Sequence, residues 1–155
     1  MNKTKQMIQY LIQCDEIVNS SLYMNFLEAE KDNTTQFISE STVTLSKYID
    51  GSEQKRFAFS IADYRSITYN NISKRSMTNE NLEKLNVVQG IIDWVKEQNE
   101  IRNFPDFGEK CFVESIDTTE ETPNITGIQD SQGNPPLAVY AITVIVDYID
   151  YSKRI

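Results

Sequence analysis

The chain contains no histidine. That absence removes the commonest general base near neutral pH, the Ser-His and Cys-His nucleophile pairs, and the commonest metal ligand. A lysine- or carboxylate-based enzyme stays open, but the acidic pairs give it little support. Asp147 and Asp150 stand three residues apart on a strand-like segment, so they point to opposite faces and cannot share a substrate. Cysteine is scarce as well: Cys14 and Cys111 sit in different apolar segments without CxxC spacing. They read as buried core thiols, not a zinc site or redox pair. No run reaches the roughly 18 apolar residues of a membrane span. The apolar stretch after Met1-Asn2-Lys3-Thr4-Lys5 is soon interrupted by Asp15 and Glu16 and has no small-residue cleavage site. The expectation is a soluble protein that stays where it is made. The Asn-x-Ser/Thr triplets at Asn19, Asn33, Asn71 and Asn124 are then chance matches in an Asn-rich chain.

Positive charge is in short supply. Fifteen Lys and Arg face 23 Asp and Glu, a net charge of -8, and the densest basic clusters are only Lys55-Arg56 and Lys74-Arg75. A phosphate-binding groove needs a clustered basic surface, so sequence-specific nucleic-acid binding is disfavoured, and the acidic surface is first a solubility feature. Glu120, Glu121 and Asp130 share a loop but match no EF-hand or carboxylate cage. Asp50-Gly51-Ser52 and the Gly127 to Gly133 spacing are turns, because neither runs from a buried strand into a helix with a Lys-Ser/Thr ending. The reading therefore assigns no catalytic residue, no cofactor, no metal and no membrane partner.

What the chain does have is pattern. From Leu137 to Tyr151, Tyr140, Ile142, Val144, Val146 and Tyr148 alternate with Val139, Ala141, Thr143 and Ile145. A strand apolar on both sides wants cover twice, by helices on one face and by something else, such as another subunit, on the other. Between Thr4 and Val18, Met7, Ile8, Leu11, Ile12, Cys14 and Val18 recur at helical steps and predict an amphipathic helix. Leu22, Met24 and Phe26 read as a short strand, with a return strand over Gln36 to Ser39. A β-rich segment from Thr42 to Ile49 then runs into Asp50-Gly51, a hairpin signal, and Phe57, Phe59 and Ile61 form the partner strand that fades near Ile67. A second helix opens at Thr78 or Asn79, and its wide face of Leu82, Leu85, Val88, Ile92 and Val95, with the flanking stripe Val87, Ile91 and Trp94, must cover the sheet. Phe104-Pro105 ends it, Lys110 to Ile116 is the next strand, and Asp117 to Pro136 is a long loop. Loops of that length are more often functional or disordered than mere connections. The fold class is α+β: one domain over residues 1–155, with a single mixed or antiparallel sheet flanked by two main helices. A chain of this length buries on the order of 70% of its unfolded surface without staples.

Several strings have a family look. Lys47-Tyr48-Ile49-Asp50-Gly51-Ser52 with the strand Phe57-Ala58-Phe59, the Trp94 helix with Phe104-Pro105, and the closing Tyr140-Ala141-Ile142-Thr143-Val144 together resemble small phage tail terminator proteins. These are also called tail completion or minor capsid proteins, in low-GC Gram-positive phages, prophages and headless tail-like bacteriocins. The resemblance covers most of the chain and rests on packing and turn residues. It implies a tail-terminator-like mixed sheet flanked by helices and a homo-oligomeric ring, of about six copies, that caps the tail tube. Such a ring halts tube polymerisation and offers a surface for head-tail joining. Implied partners are further copies of the chain, the tail tube protein, the sheath in contractile tails, and the head-tail connector. The implied location is the head-proximal end of the virion tail, after synthesis in the bacterial cytoplasm, and the implied role is structural, not enzymatic. A ring needs a heterologous contact, so the candidate assembly residues are Tyr48, Asp50, Glu120, Glu121, Asn124, Ile128, Asp130, Ile145 and Tyr148. The loop from Asp117 to Pro136 is the candidate arm that reaches the neighbouring subunit or the tube. A negatively charged channel wall would let DNA pass without sticking. Three other readings stay open: a connector or stopper of the same junction, a small α+β ligand-binding or enzyme domain with its pocket beneath Trp94, and a monomeric adaptor.

Overall fold

The computed structural model describes residues 2–18, 21–24, 34–66, 74–129 and 137–155. In chain order the elements are α1 (Lys3–Leu11), α2 (Asp15–Val18), β1 (Ser21–Met24), β2 (Thr34–Lys47), β3 (Glu53–Ser66), α3 (Lys74–Ile101), β4 (Cys111–Thr118), β5 (Ile125–Gln129) and β6 (Leu137–Asp150). The strands form one sheet in the order β1-β2-β3-β6-β4, and β5 joins β6 beyond the end of β4. All pairings are antiparallel except β1 on β2, which is parallel. The architecture is α+β with one mixed sheet.

The alternation of the last strand puts it at the centre. Along β6, Ala138, Tyr140, Ile142, Val144, Val146 and Tyr148 are buried, while Val139, Ala141, Thr143, Ile145 and Asp147 are half-buried. The buried series is registered against Phe57, Phe59 and Ile61 of β3 and against Val113 and Ile116 of β4. It packs with Met7, Tyr10, Leu11, Cys14 and Ile17 from the first two helices and Val88, Ile91, Ile92 and Val95 from α3. All the described helices therefore lie on one face of the sheet. Aromatic rings tighten this layer: Phe107 meets Phe57 and Tyr148 edge-on at centroid distances of 5.6 and 5.3 Å, and Phe37 stacks on Phe59 at 4.8 Å.

Several boundaries differ from the sequence reading. The predicted helix from Thr4 to Val18 stops at Leu11 and restarts at Asp15. In between, Gln13 and Cys14 donate their N–H groups to Tyr10 and Leu11, a tighter turn than the α-helix makes. The break still keeps Leu11, Cys14 and Ile17 in the core. The two predicted segments Gln36–Ser39 and Thr42–Ile49 are a single strand of 14 residues. It has register shifts between Phe37 and Ser39 and between Thr44 and Ser46. Each shift inserts a residue and resets the alternation, which is why a strict two-residue period splits the strand. The helix expected at Thr78 or Asn79 begins at Lys74. The long loop contains β5, which folds back on the start of β6.

Candidate assembly surface

With the described helices all on one face, the centre of the other face carries no described helix. At its centre Ala58 and Ser60 of β3 lie opposite Ile145 and Thr143 of β6, all half-buried. Hydrogen bonding ties the strands together across this face. Ser60 and Thr143 share a hydroxyl contact of 3.0 Å, and Arg56 clasps Asp147 through two nitrogens at 2.8 and 3.0 Å. Gln54 donates to Glu114 at 3.1 Å, and Tyr64 donates to Gln36 at 2.9 Å. Toward one end Ala62 and Tyr64 form a small second core with Val139. Large apolar side chains stand out in solvent at both margins of the sheet: Val43, 55% exposed, on β2 and Phe112, 54% exposed, on β4.

Tyr48 and Asp50 lie at the tip of the β2–β3 hairpin, which is clamped by the chain's last residues. Gly51 takes φ +89°, the left-handed conformation that the turn requires. The Asp50 carboxylate accepts from the Ser52 N–H at 3.0 Å and from its hydroxyl at 2.6 Å, and pairs with Arg154 at 3.3 Å. Those Ser52 bonds, helped by Arg154, hold the Asp50 carboxyl below its usual range. Lys153 pairs with Glu53 at 3.3 Å. The knob so formed exposes Tyr48, Ile49, Tyr151 and Ile155, with Ile49 and Ile155 fully in solvent. Close by, burial works against the charged form of Asp150, but bonds from Ser152 and Lys55 outweigh it and hold that carboxyl well below the carboxylate range.

The first half of the long loop is tied to the body of the protein. The Thr118 hydroxyl donates to the Glu120 carbonyl at 2.6 Å, and the Glu120 carboxylate accepts from the Thr143 N–H at 3.0 Å. Gln89 donates to the Glu121 carbonyl at 3.3 Å, and Lys96 reaches Glu121 at 3.5 Å and Asp117 at 2.8 Å. Glu120 and Glu121 thus belong to a loop pinned against α3 and β6, not to an arm free along its whole length. Asn124 is exposed just before β5, and Ile128 lies within β5. Asp130 lies outside the described residues.

The candidate residues therefore do not form one patch. Tyr48 and Asp50 share the hairpin tip, Glu120 and Glu121 lie beside the middle of β6 and α3, Asn124 directly precedes β5, and Ile145 lies on the face away from the described helices. Tyr148 is placed elsewhere: it is 1% exposed, on the helix-covered side against Phe107, and supplies no surface in this chain. Strand parity is the reason, since Tyr148 lies an odd number of residues from Ile145 and so points the other way. Val43, Leu45, Ile49, Phe112 and Ile155, all exposed, were not among the residues expected at an assembly surface, although Val43, Leu45 and Ile49 were read as part of a β-rich segment. A β-branched run such as Thr42-Val43-Thr44 outside any apolar stripe is the signal that could have marked an exposed strand. Sequence reasoning passed over a buried polar cluster in which Arg65 forms a two-pronged contact with Asp63, and Thr35 donates to the same carboxylate at 3.0 Å.

No group of three or more His, Cys, Asp and Glu that could hold a metal occurs among the described residues. No helix among them is long and apolar enough to cross a membrane. The fold defines an α+β protein with one sheet and its described helices on one face. No protein-family model matches the chain, and no curated protein sequence matches it significantly.

Proposed function

We propose that the chain is a structural virion protein whose copies form a closed ring, of about six subunits, that caps a phage tail tube, ends its growth and offers the head-joining surface. The observation that carries the reading is the one-sided cover of the sheet. Among the described elements nothing packs over the centre of the face away from the described helices, where Ala58, Ser60, Thr143 and Ile145 remain half-buried. The small side chains Ala58, Ser60 and Thr143 let a neighbouring subunit approach closely there, and Val43 and Phe112 at the margins supply apolar contact. The terminator-like strings add independent support. Of these, Lys47 to Ser52 spans the hairpin tip, where Lys47, Tyr48 and Ile49 are exposed, which suits contact with a tube or connector.

A net charge of -8 suits a channel through which DNA passes. A connector or stopper ring of the same junction would use the same surfaces. The test that separates the two is partner choice: a terminator binds the end of preassembled tail tubes, and a connector binds DNA-filled heads. Binding to neither, with a monomeric mass, contradicts the ring.

A further inference from the structure

The two long margins of the sheet are finished differently. At the β4 margin, the Ile116 N–H is capped by the Asn99 side chain of α3 at 3.0 Å, and Lys96 holds Asp117 at 2.8 Å, so a helix shields that edge. At the other margin, β1 pairs with β2 only over Thr34 to Phe37. From Ser39 to Lys47, β2 has β3 on one side and no described strand on the other, and every residue of the stretch is exposed. A bare edge of this length, rich in Thr and Val, is a template for another strand.

We propose that this edge pairs antiparallel with the same edge of a second copy, about a two-fold axis at Val43. The β2–β3 register supplies the argument. Measured against β3, Glu40, Ser41, Thr42, Val43, Thr44, Ser46 and Lys47 stand opposite consecutive residues from Phe59 down to Glu53, with Leu45 skipped at the bulge. Val43 is therefore midway, three ladder steps from Glu40 and three from Lys47. A two-fold pairing centred there sets Val43 on Val43, Thr42 on Thr44, Ser41 on Ser46 and Glu40 on Lys47. Each pair falls on one face of the joined sheet, as antiparallel partners must. Glu40 and Lys47 are the only charged residues in the stretch, and this register joins them across the axis twice. Neither has an ion-pair partner among the described residues; Glu40 accepts only the Thr4 hydroxyl. Centring on any other residue breaks both matches. The contact is isologous, whereas ring closure is heterologous, so it does not rest on the ring reading. It is a way for the free chain to shield its edge before assembly.

The experiment measures the mass of the full chain by sedimentation over a range of concentrations, for the natural protein, E40K, K47E and E40K/K47E. All three variants alter exposed side chains, and unchanged melting confirms that they fold. The expected result is a concentration-dependent dimer whose dissociation constant rises about tenfold in each single variant, where like charges face each other, and returns in the double variant. A natural protein that stays monomeric overturns the proposal, and so does a dimer indifferent to the single reversals or one the double reversal does not restore. Rings that form in all four proteins directly from monomers, with no dimer at any concentration, overturn the edge pairing and leave the ring reading intact. Loss of tube capping with the edge dimer preserved does the reverse.

Discussion

The N–H of Ile155 donates to the carbonyl of Asp50 at 2.6 Å, so the last residue of the described chain is tied to the turn of the β2–β3 hairpin. The Cβ of an alanine at Gly51 would lie 2.2 Å from the Lys153 carbonyl oxygen, a backbone atom that cannot swing away. Gly51→Ala should therefore cost about 1–3 kcal/mol and release the tail from the hairpin. Thermal melting and faster amide exchange at Ile155 check this; unchanged melting contradicts the clamp.

Asn99 is a second point of dependence. Its side-chain oxygen accepts the Ile116 N–H at 3.0 Å, a donor that β6 does not take. Asn99→Ala should lower stability by about 1–2 kcal/mol and speed exchange of that one amide. Asn99→Asp keeps an acceptor and should lose less, which separates the lost bond from lost packing.

The pH dependence follows from Asp150, whose carboxyl is held low by Ser152 and Lys55 despite its burial. The unfolded carboxyl titrates near 3.8. Because the folded value lies below the unfolded one, this contribution is complete above the unfolded value and is lost as pH falls through it toward the folded value. Asp150→Asn should flatten the fall of stability below about pH 4 and reduce stability at neutral pH. Denaturant titrations across that range provide the check, and a parallel curve for the variant contradicts the assignment.

The two thiols should differ in reactivity. Burial, then the Glu16 carboxylate that accepts the thiol hydrogen bond at 3.2 Å, pushes Cys14 up to about 12. Cys111 is also raised by burial but is only partly covered. At mildly alkaline pH, alkylation should be slow at both and slower at Cys14, which should react only as the fold opens. Rapid labelling of Cys14 in folded protein would contradict its place in the core.

Legibility in the sequence followed how strictly each element kept its period. The closing strand kept a two-residue alternation from Ala138 to Tyr148, and its neighbour kept Phe57, Phe59 and Ile61, so the middle of the sheet could be read directly. The α3 stripe through Val88, Ile91, Ile92 and Val95 was equally plain. β2 was not, because two register shifts break its alternation, and β5 was hidden because five residues with an internal Gly carry too little pattern. The β2–β3 turn was legible from Asp50-Gly51, whose chemistry marks it. The candidate surface was misread at Tyr148, because a strand apolar on both sides does not say which side the helices take. Val43 and Phe112 escaped because their exposure depends on which strands end at the sheet margins, a tertiary fact.

That difference between Ile145 and Tyr148 gives the most direct test of the ring. Tyr148→Asp places a carboxylate in the core beside Phe107 and should abolish folding, whereas Ile145→Asp falls on the face away from the described helices and should leave a folded chain. The measurement is the mass by light scattering of the natural protein and of Ile145→Asp, alone and with tail-tube fragments viewed by electron microscopy. The account predicts rings of about six natural subunits seated on tube ends, and a folded Ile145→Asp protein that forms none. A natural protein that remains monomeric or dimeric and leaves the tube ends bare would contradict it.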